Sequence, residues 1–333
     1  MKTFLIRRLL PLPLVLLGVT MLIFVISYVM PSDPVLLSLG ERATAAQRAQ
    51  MREQLGLDQP LPVQYVRYLN ALLHGDLGTS IVTKRAVSYD LQKALPASLE
   101  LSTMALIIAV AIGIPLGVTG AVHVNRWPDY LGRIMTLTGV SVERGWTAVL
   151  VQLLIATTIS FPVIGRITGD APPERTGFYL MDSLLAGNVG QFGSALQHLI
   201  LPAFALSFGA LAQIARITRA RMLEELSKDY VQANVAQGLP PWLITYKYML
   251  RNALTVTLTV IGLSYGALLG NAFLVESVFA WPGLGQYGVA AILNNDLPAI
   301  AGVTLVMGTT FVIVNTIVDV LYAYVNPKVR YAW

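Results

Sequence analysis

The chain has 333 residues, 55% of them hydrophobic and only 12% charged, where a soluble domain carries about 25%. Cysteine is absent and the three histidines stand far apart, which excludes a disulfide framework, a thiol nucleophile and a Cys/His metal site. The apolar residues run in long blocks with most of the Lys and Arg beside them, so the net charge of +5 reads as membrane orientation rather than nucleic-acid binding.

In chain order, six segments are long enough to cross a hydrocarbon core of about 30 Å as helices: 9–30, 97–122, 134–161, 199–217, 253–280 and 299–325. The pattern predicts an all-α polytopic membrane protein. The first segment follows Lys2, Arg7 and Arg8, but it is too long for a signal-peptide core and has no A-x-A cleavage pattern, so it reads as a retained anchor. Residues 31–96 then form an outside segment with two short helices. The first, in "TAAQRAQMREQLGLD", has Thr44 as cap and Gly56 as stop; the second follows Pro60 and Pro62 and ends near Gly75.

Orientation follows from the short loops. With the N-terminus inside, the cytoplasmic pieces hold Arg126, Arg133, Arg216, Arg219, Arg221, Lys228, Lys247, Arg251, Lys328 and Arg330 besides the three N-terminal cations. The outer loop 162–198 holds only Arg166 and Arg175, and 281–298 holds none. Both termini are therefore expected in the cytoplasm. The organisation expected is 1–30 as first span, 31–96 outside, 97–325 as a five-span core, and 326–333 as a cytoplasmic tail.

Within that core, "SKDYVQANVAQGLPPWLITYKY" (227–248) is polar and lies between two apolar spans. Ser227 is a candidate cap with Asp229 in the first turn, Gly238 a left-handed terminator, and Pro240 and Pro241 the start of a second short helix. Val231 and Val235 share a face, and Ala233 and Ala236 are short enough for close approach. Such a helix–turn–helix, tethered at both ends outside the lipid, suits a groove on another protein.

Here the residues resemble a known family. The hairpin is similar to the coupling loop of binding-protein-dependent ABC importer permeases, whose E-A-A-x3-G positions hold Gln232, Ala233, Asn234 and Gly238. The peptide-importer version is matched by Asp229, Tyr230, Val231, Ala236, Gly238 and Leu239, followed by Arg251-Asn252-Ala253-Leu254. Asn234 departs from the usual Ala, and Val256 from a frequent Pro. "FLIRRLLPLPLVLLGVTMLIFVISYVMPSDP", "LGLDQPLPVQYVRYL", "GDLGTS", "LPASLEL" and above all "VESVFAWPGLGQ" extend the likeness over nearly the whole chain. It implies the type I ABC importer permease fold and a bacterial inner-membrane subunit. The implied partners are a second homologous permease, two P-loop ATPases and an extracytoplasmic binding protein. The cargo class is dipeptides or oligopeptides, with glutathione or nickel chelates as alternatives.

The chain itself has no G-x4-G-K-[ST] loop, so ATP and Mg are expected on the partner ATPases and no enzymatic activity here. A secondary transporter or channel would need coupling carboxylates or a filter at mid-membrane. Pro115 and the Glu143–Arg144 pair are the features on which that reading rests. Charges at the depth of Glu143 and Arg144 are costly unless they face protein or water, so with Trp146 they either line a pathway or pair with neighbouring helices. Glu276 and Glu100, at outer span ends, are either pathway residues or carboxylates held by backbone donors. Asn315 and Asp319 are expected to pack between helices, and Gly262, Gly266 and Gly270 form a G-x3-G-x3-G packing ridge.

Overall fold

The computed structural model describes residues 12–29, 44–55, 58–142, 144–158 and 161–325. Among the described residues three helices precede the core: α1 (Leu12–Val29), α2 (Ala45–Leu55) and α3 (Leu61–Leu73). At the start of α2 the Thr44 backbone N–H donates to Gln47 Oε1 at 2.9 Å, and the Gln47 N–H donates back to Thr44 Oγ1 at 3.3 Å. This reciprocal capping box realises the expected cap; the expected stop, Gly56, lies outside the described residues. Gly75, past the end of α3, has φ +78°, as a glycine terminator requires.

Among the described residues four helices are long and apolar enough to cross a membrane: α4 (Val87–Val122), α8 (Val189–Leu226), α10 (Pro241–Val278) and α12, over Leu297–Val318 of its full Leu297–Val325 extent. Three of these helices, α4, α8 and α10, begin or end well beyond the apolar runs that announced them, whereas α12 matches the expected 299–325 to within two residues. Thus α4 starts at Val87 rather than near 97 and carries Pro96 and Pro115 inside it, while α8 runs from Val189 to Leu226 rather than 199–217. The first expected span is the shorter α1. The third is not one helix but two, α5 (Trp127–Ser141) and α6 (Arg144–Thr158). They are broken at Val142, whose ψ of 126° is extended. Two short helices, α7 (Tyr179–Leu185) and α11 (Leu284–Leu293), lie in the loops between α6 and α8 and between α10 and α12.

The long helix α8 is the hub, packed on α4, α10, α5, α6 and α7. Small residues bring the backbones together, because in lipid close packing rather than hydrophobic expulsion holds helices. Ala97, Leu101, Ala105 and Ala109 of α4 meet Leu199, Leu206, Leu211 and Ile214 of α8 in the main core. A Cβ added at Gly113 or Gly117 of α4 would come within 3.0 Å or 2.7 Å of the Leu211 or Ala215 carbonyl oxygen. One at Gly139 of α5 would lie 2.6 Å from the Ala212 Cβ. These three glycines set the α4–α8–α5 spacing.

The expected ridge on α10 is divided. A Cβ at Gly262 would meet Val318 Cγ1 of α12, and one at Gly266 would sit 2.9 Å from Phe311 and 3.0 Å from Asn315 Oδ1, whereas Gly270 faces open space. Two of the three glycines therefore serve packing inside this chain, with Asn315 on the same seam. The Asp319 side chain is outside the described residues.

Candidate functional site

The hairpin begins where α8 ends. Ser227 closes α8, its hydroxyl donating to the Glu224 carbonyl at 2.8 Å, and the next helix α9 (Asp229–Ala236) starts after Lys228 without a side-chain cap. The cap expected at Ser227 is thus a terminator instead. Asp229 does stand in the first turn of α9, where the helix dipole favours a carboxylate. At the other end Gly238 has φ +73°, the Gly238 N–H donates to Val235 O and the Leu239 N–H to Asn234 O. This pair of bonds is a Schellman closure, which needs the left-handed residue that glycine supplies without strain.

Beyond it Pro240 and Pro241 restart the chain, with Pro241 in the first helical turn. The second helix does not stop as a short arm. It passes through a six-residue π stretch, Ile244–Met249, and continues as the spanning part of α10. A movement at the turn is therefore applied to the end of a membrane helix.

Few contacts hold α9 to the body. Val231 is buried with Val118, Ala121, Met222, Ile244, Met249 and Ala253. Tyr230 donates its hydroxyl to Glu225 Oε2, and Asn252 Nδ2 reaches the same oxygen at 3.3 Å and the phenol at 3.4 Å. Burial and the Glu225 bond push the Tyr230 phenol above its ordinary value of 10, so it keeps its proton and remains the donor. Outward from this anchor Val235, Trp242 and Tyr246 are exposed at 62%, 64% and 55%. Ala233, Ala236 and Gly238 are exposed as well, and Leu239 is half-buried. Val231 and Val235, four residues apart, thus divide the tasks of holding and presenting.

The opposite end of the molecule carries most of the other ionisable candidates. Glu276 is fully buried near the end of α10. One carboxylate oxygen accepts the Ser98 hydroxyl at 2.6 Å; the other accepts the N–H groups of Gly285 at 2.7 Å and Gln286 at 3.1 Å. A Cβ at Gly283 would lie 2.5 Å from this carboxylate, and one at Gly285 would lie 2.3 Å from Phe273 Cα. The W-P-G-L-G run is thus a backbone cradle around one buried carboxylate, pinned to α4 by Trp281 Nε1 donating to Ala97 O at 2.9 Å. Glu276, named above as a possible pathway residue, is enclosed by its own chain.

Next to it Arg166 pairs with buried Glu100, whose second oxygen accepts the Leu180 N–H at 2.8 Å. The guanidinium lies 3.7 Å from the Tyr179 ring centroid. Above these groups opens a depression of about 740 Å³, rimmed by Arg85, Lys93, Glu174 and Arg175. Asp182 braces the 175–177 stretch of its wall, accepting bonds from the Thr176 hydroxyl and the N–H groups of Arg175, Thr176 and Gly177. Burial alone would raise the Asp182 pKa, but these bonds outweigh it and hold it below 3.8.

Glu143 and the Arg144 side chain lie outside the described residues; Trp146, two residues on, is 67% exposed on α6. The sequence reading missed Asp129. It is fully buried at the start of α5 and holds two arginines from different helices: Arg219 at 2.6 and 3.0 Å and Arg133 at 2.7 Å. Its signal was Asp129 in the first turn after Trp127-Pro128, four residues before Arg133, but nothing local reveals Arg219.

Comparison with known proteins returns two family models. The model described as "Binding-protein-dependent transport system inner membrane component" matches residues 113–331, and its N-terminal counterpart matches residues 1–102. The chain is 48% identical to a protein named "Probable D,D-dipeptide transport system permease protein" of Escherichia coli, covering 95% of this chain and 94% of that one. It is 40% identical to a dipeptide transport system permease protein of Alkalihalophilus pseudofirmus, over 99% of this chain and all of the relative. A glutathione transport system permease protein of Salmonella typhimurium is 35% identical over the same shares.

Proposed function

The chain belongs to the inner membrane component family of binding-protein-dependent transport systems, and we propose from this how its two ends divide the work of an importer. It is the permease subunit of a peptide ABC importer, a transport component rather than an enzyme. In our reading α1, α4, the α5–α6 pair, α8, α10 and α12 make six crossings with both termini in the cytoplasm. A second permease supplies the other half of the pathway, and two ATPases bind ATP and Mg. A binding protein delivers cargo to the outer depression beside Arg85, Lys93 and Arg175. Dipeptides are the favoured cargo, since the dipeptide relatives reach 48% and 40% identity against 35% for the glutathione relative.

The observation that carries the reading is the hairpin: a Schellman turn held at Val231 and Tyr230, with Val235, Trp242 and Tyr246 open to a partner and with its second arm continuous with α10. A nucleotide-driven displacement of the turn would reach the membrane without an intervening flexible joint. Reconstitution tests this. Labelled dipeptide should enter vesicles only when this subunit, its partner permease, both ATPases, binding protein and ATP are all present. Uptake that continues without the ATPases would instead support a secondary transporter. For the topology, Asp170→Cys is a better probe than Ser80→Cys, because Asp170 is exposed whereas Ser80 is buried against Asp296. Labelling of Asp170→Cys only from the cytoplasm would invert the orientation.

A further inference from the structure

A second concave site lies at the hairpin end of the molecule, away from the coupling face. It is a groove of about 480 Å³ between α4, α5 and α8, with Leu116, Leu137 and Ala215 as apolar walls and Gly117, Gly120 and Gly132 leaving the space. Arg133, Arg216 and Arg219 line it. Three guanidinium groups there face one carboxylate, Asp129, which orients two of them; no described acidic residue forms an ion pair with Arg216. The groove therefore carries an uncompensated positive charge of about two. Gly120 makes room for this arrangement: a Cβ there would touch the Arg219 Cδ at 3.4 Å.

The neighbouring face of α5 says what medium the groove meets. Trp127 and Tyr130 are 72% and 53% exposed at the helix start, followed by exposed Leu131, Ile134 and Leu137 one to three turns on. Aromatic residues beside basic ones, grading into aliphatic residues along one stripe, match the headgroup level of a bilayer and then its hydrocarbon. Arg133 stacks within 5.7 Å of the Tyr130 ring on the edge of this stripe.

We propose that this groove binds the phosphate of an anionic phospholipid in the inner leaflet, contacted by Arg133 and Arg216. Arg219, held by Asp129, backs the site with positive charge, while the acyl chains run along Leu137 and Ile134. The inner-leaflet assignment rests on the topology proposed above, which puts the hairpin end in the cytoplasm. Basic pockets between helices on that side are suited to anionic headgroups. A lipid bound there would also brace α5 against α8.

The test uses the intact importer in nanodiscs of phosphatidylcholine with and without phosphatidylglycerol, with retained lipid read by native mass spectrometry. Each cation near an anionic surface contributes roughly a fivefold preference, so Arg133→Gln with Arg216→Gln should lower retained phosphatidylglycerol by roughly twenty-five-fold. Arg133→Lys with Arg216→Lys should restore most of it. Arg221→Gln, outside the groove and already paired with Glu224, should change nothing. Equal retention by the double Gln variant, or an equal loss in Arg221→Gln, would overturn the site. Displacement by inorganic phosphate with no preference between the two nanodisc compositions would overturn the lipid assignment in favour of a soluble anion. Cross-linking of Leu137→Cys to the second permease, with no retained lipid, would overturn it in favour of a protein contact. Val124→Cys, exposed beside the groove, reports the side independently. Its labelling from outside would overturn the topology and with it the leaflet, whereas labelling from inside without phosphatidylglycerol preference overturns this inference alone.

Discussion

The two ends of the molecule use similar residues in opposite ways. At the end opposite the hairpin, glycines and carboxylates are consumed inside the chain: Gly283, Gly285, Ser98 and Gln286 close around Glu276, and Arg166 neutralises Glu100. At the hairpin end, Gly238 bends the chain with no atom near its missing Cβ, and the apolar side chains beyond it point outward. The first arrangement is a finished cap, in which both oxygens of Glu276 and both of Glu100 accept from donors of the same chain. The second is an unfinished surface, held by one valine and one tyrosine. Substitutions should therefore cost folding at the Glu276 end and coupling at the hairpin end.

The largest effect expected is Glu276→Ala. It strands two backbone N–H groups and one hydroxyl at roughly 1–3 kcal/mol each, which exceeds what a marginal membrane subunit can absorb. Detergent extracts should contain little monodisperse permease by size-exclusion chromatography. Near-normal yield would break the contrast, because the cap would then not be structural.

Next comes Gly238→Asp, which forces a Cβ-bearing residue to φ +73° at about 1 kcal/mol. Space is open in this chain, so the permease should fold and insert. The loss should fall on co-purification of the ATPases and on dipeptide uptake, both reduced severalfold. Gly238→Asn, which tolerates the left-handed conformation, should lie between Gly238→Asp and the parent. Full uptake with Gly238→Asp would reduce the hairpin to a connection. Asn234→Ala, at a half-exposed position, should be tolerated.

Tyr230→Phe sharpens the comparison further. It removes the hydroxyl that joins α9 to Glu225 and Asn252, at about 1 kcal/mol, and leaves Val231 in place. Maximal uptake should fall about twofold to threefold without loss of ATPase binding, since the outward face is intact. A loss of binding equal to that of Gly238→Asp would mean that the anchor and the presenting face are one unit.

The smallest effect is a pH dependence beside the Glu276 cap. Asp182 has a folded pKa below 3.8, so its contribution is complete above about pH 4 and is lost as the pH falls through the folded value. The melting temperature of Asp182→Asn should therefore lie below the parent's at pH 7, and the gap should close on acidification below pH 4. A constant gap would place the stabilisation in packing rather than in the charge.

Much of this was written in local pattern. The capping box at Thr44 and Gln47, the left-handed Gly238 and the restart at Pro241 each depend on a few adjacent residues and on backbone sterics, which sequence displays directly. Apolar runs located the four long helices because a length of lipid must be matched by a length of apolar chain. The runs did not give the ends, since α4 and α8 continue past the lipid-like stretch wherever neighbouring helices satisfy them.

What only the tertiary structure decided was pairing. Glu276 is an acid in an apolar run by sequence; it becomes a cradled structural group because Gly285 and Gln286 return nine and ten residues later with free N–H groups aimed at it. Asp129 and Arg219 are 90 residues apart, and no periodicity links them. The split of the glycine ridge likewise depends on where Val318 and Phe311 arrive from α12. Sequence by itself determined the medium, the helices and the turn, because those follow from local sterics and transfer into lipid. Which charge is buried and which surface is left open follows from long-range contacts, whose partners the chain meets only after folding.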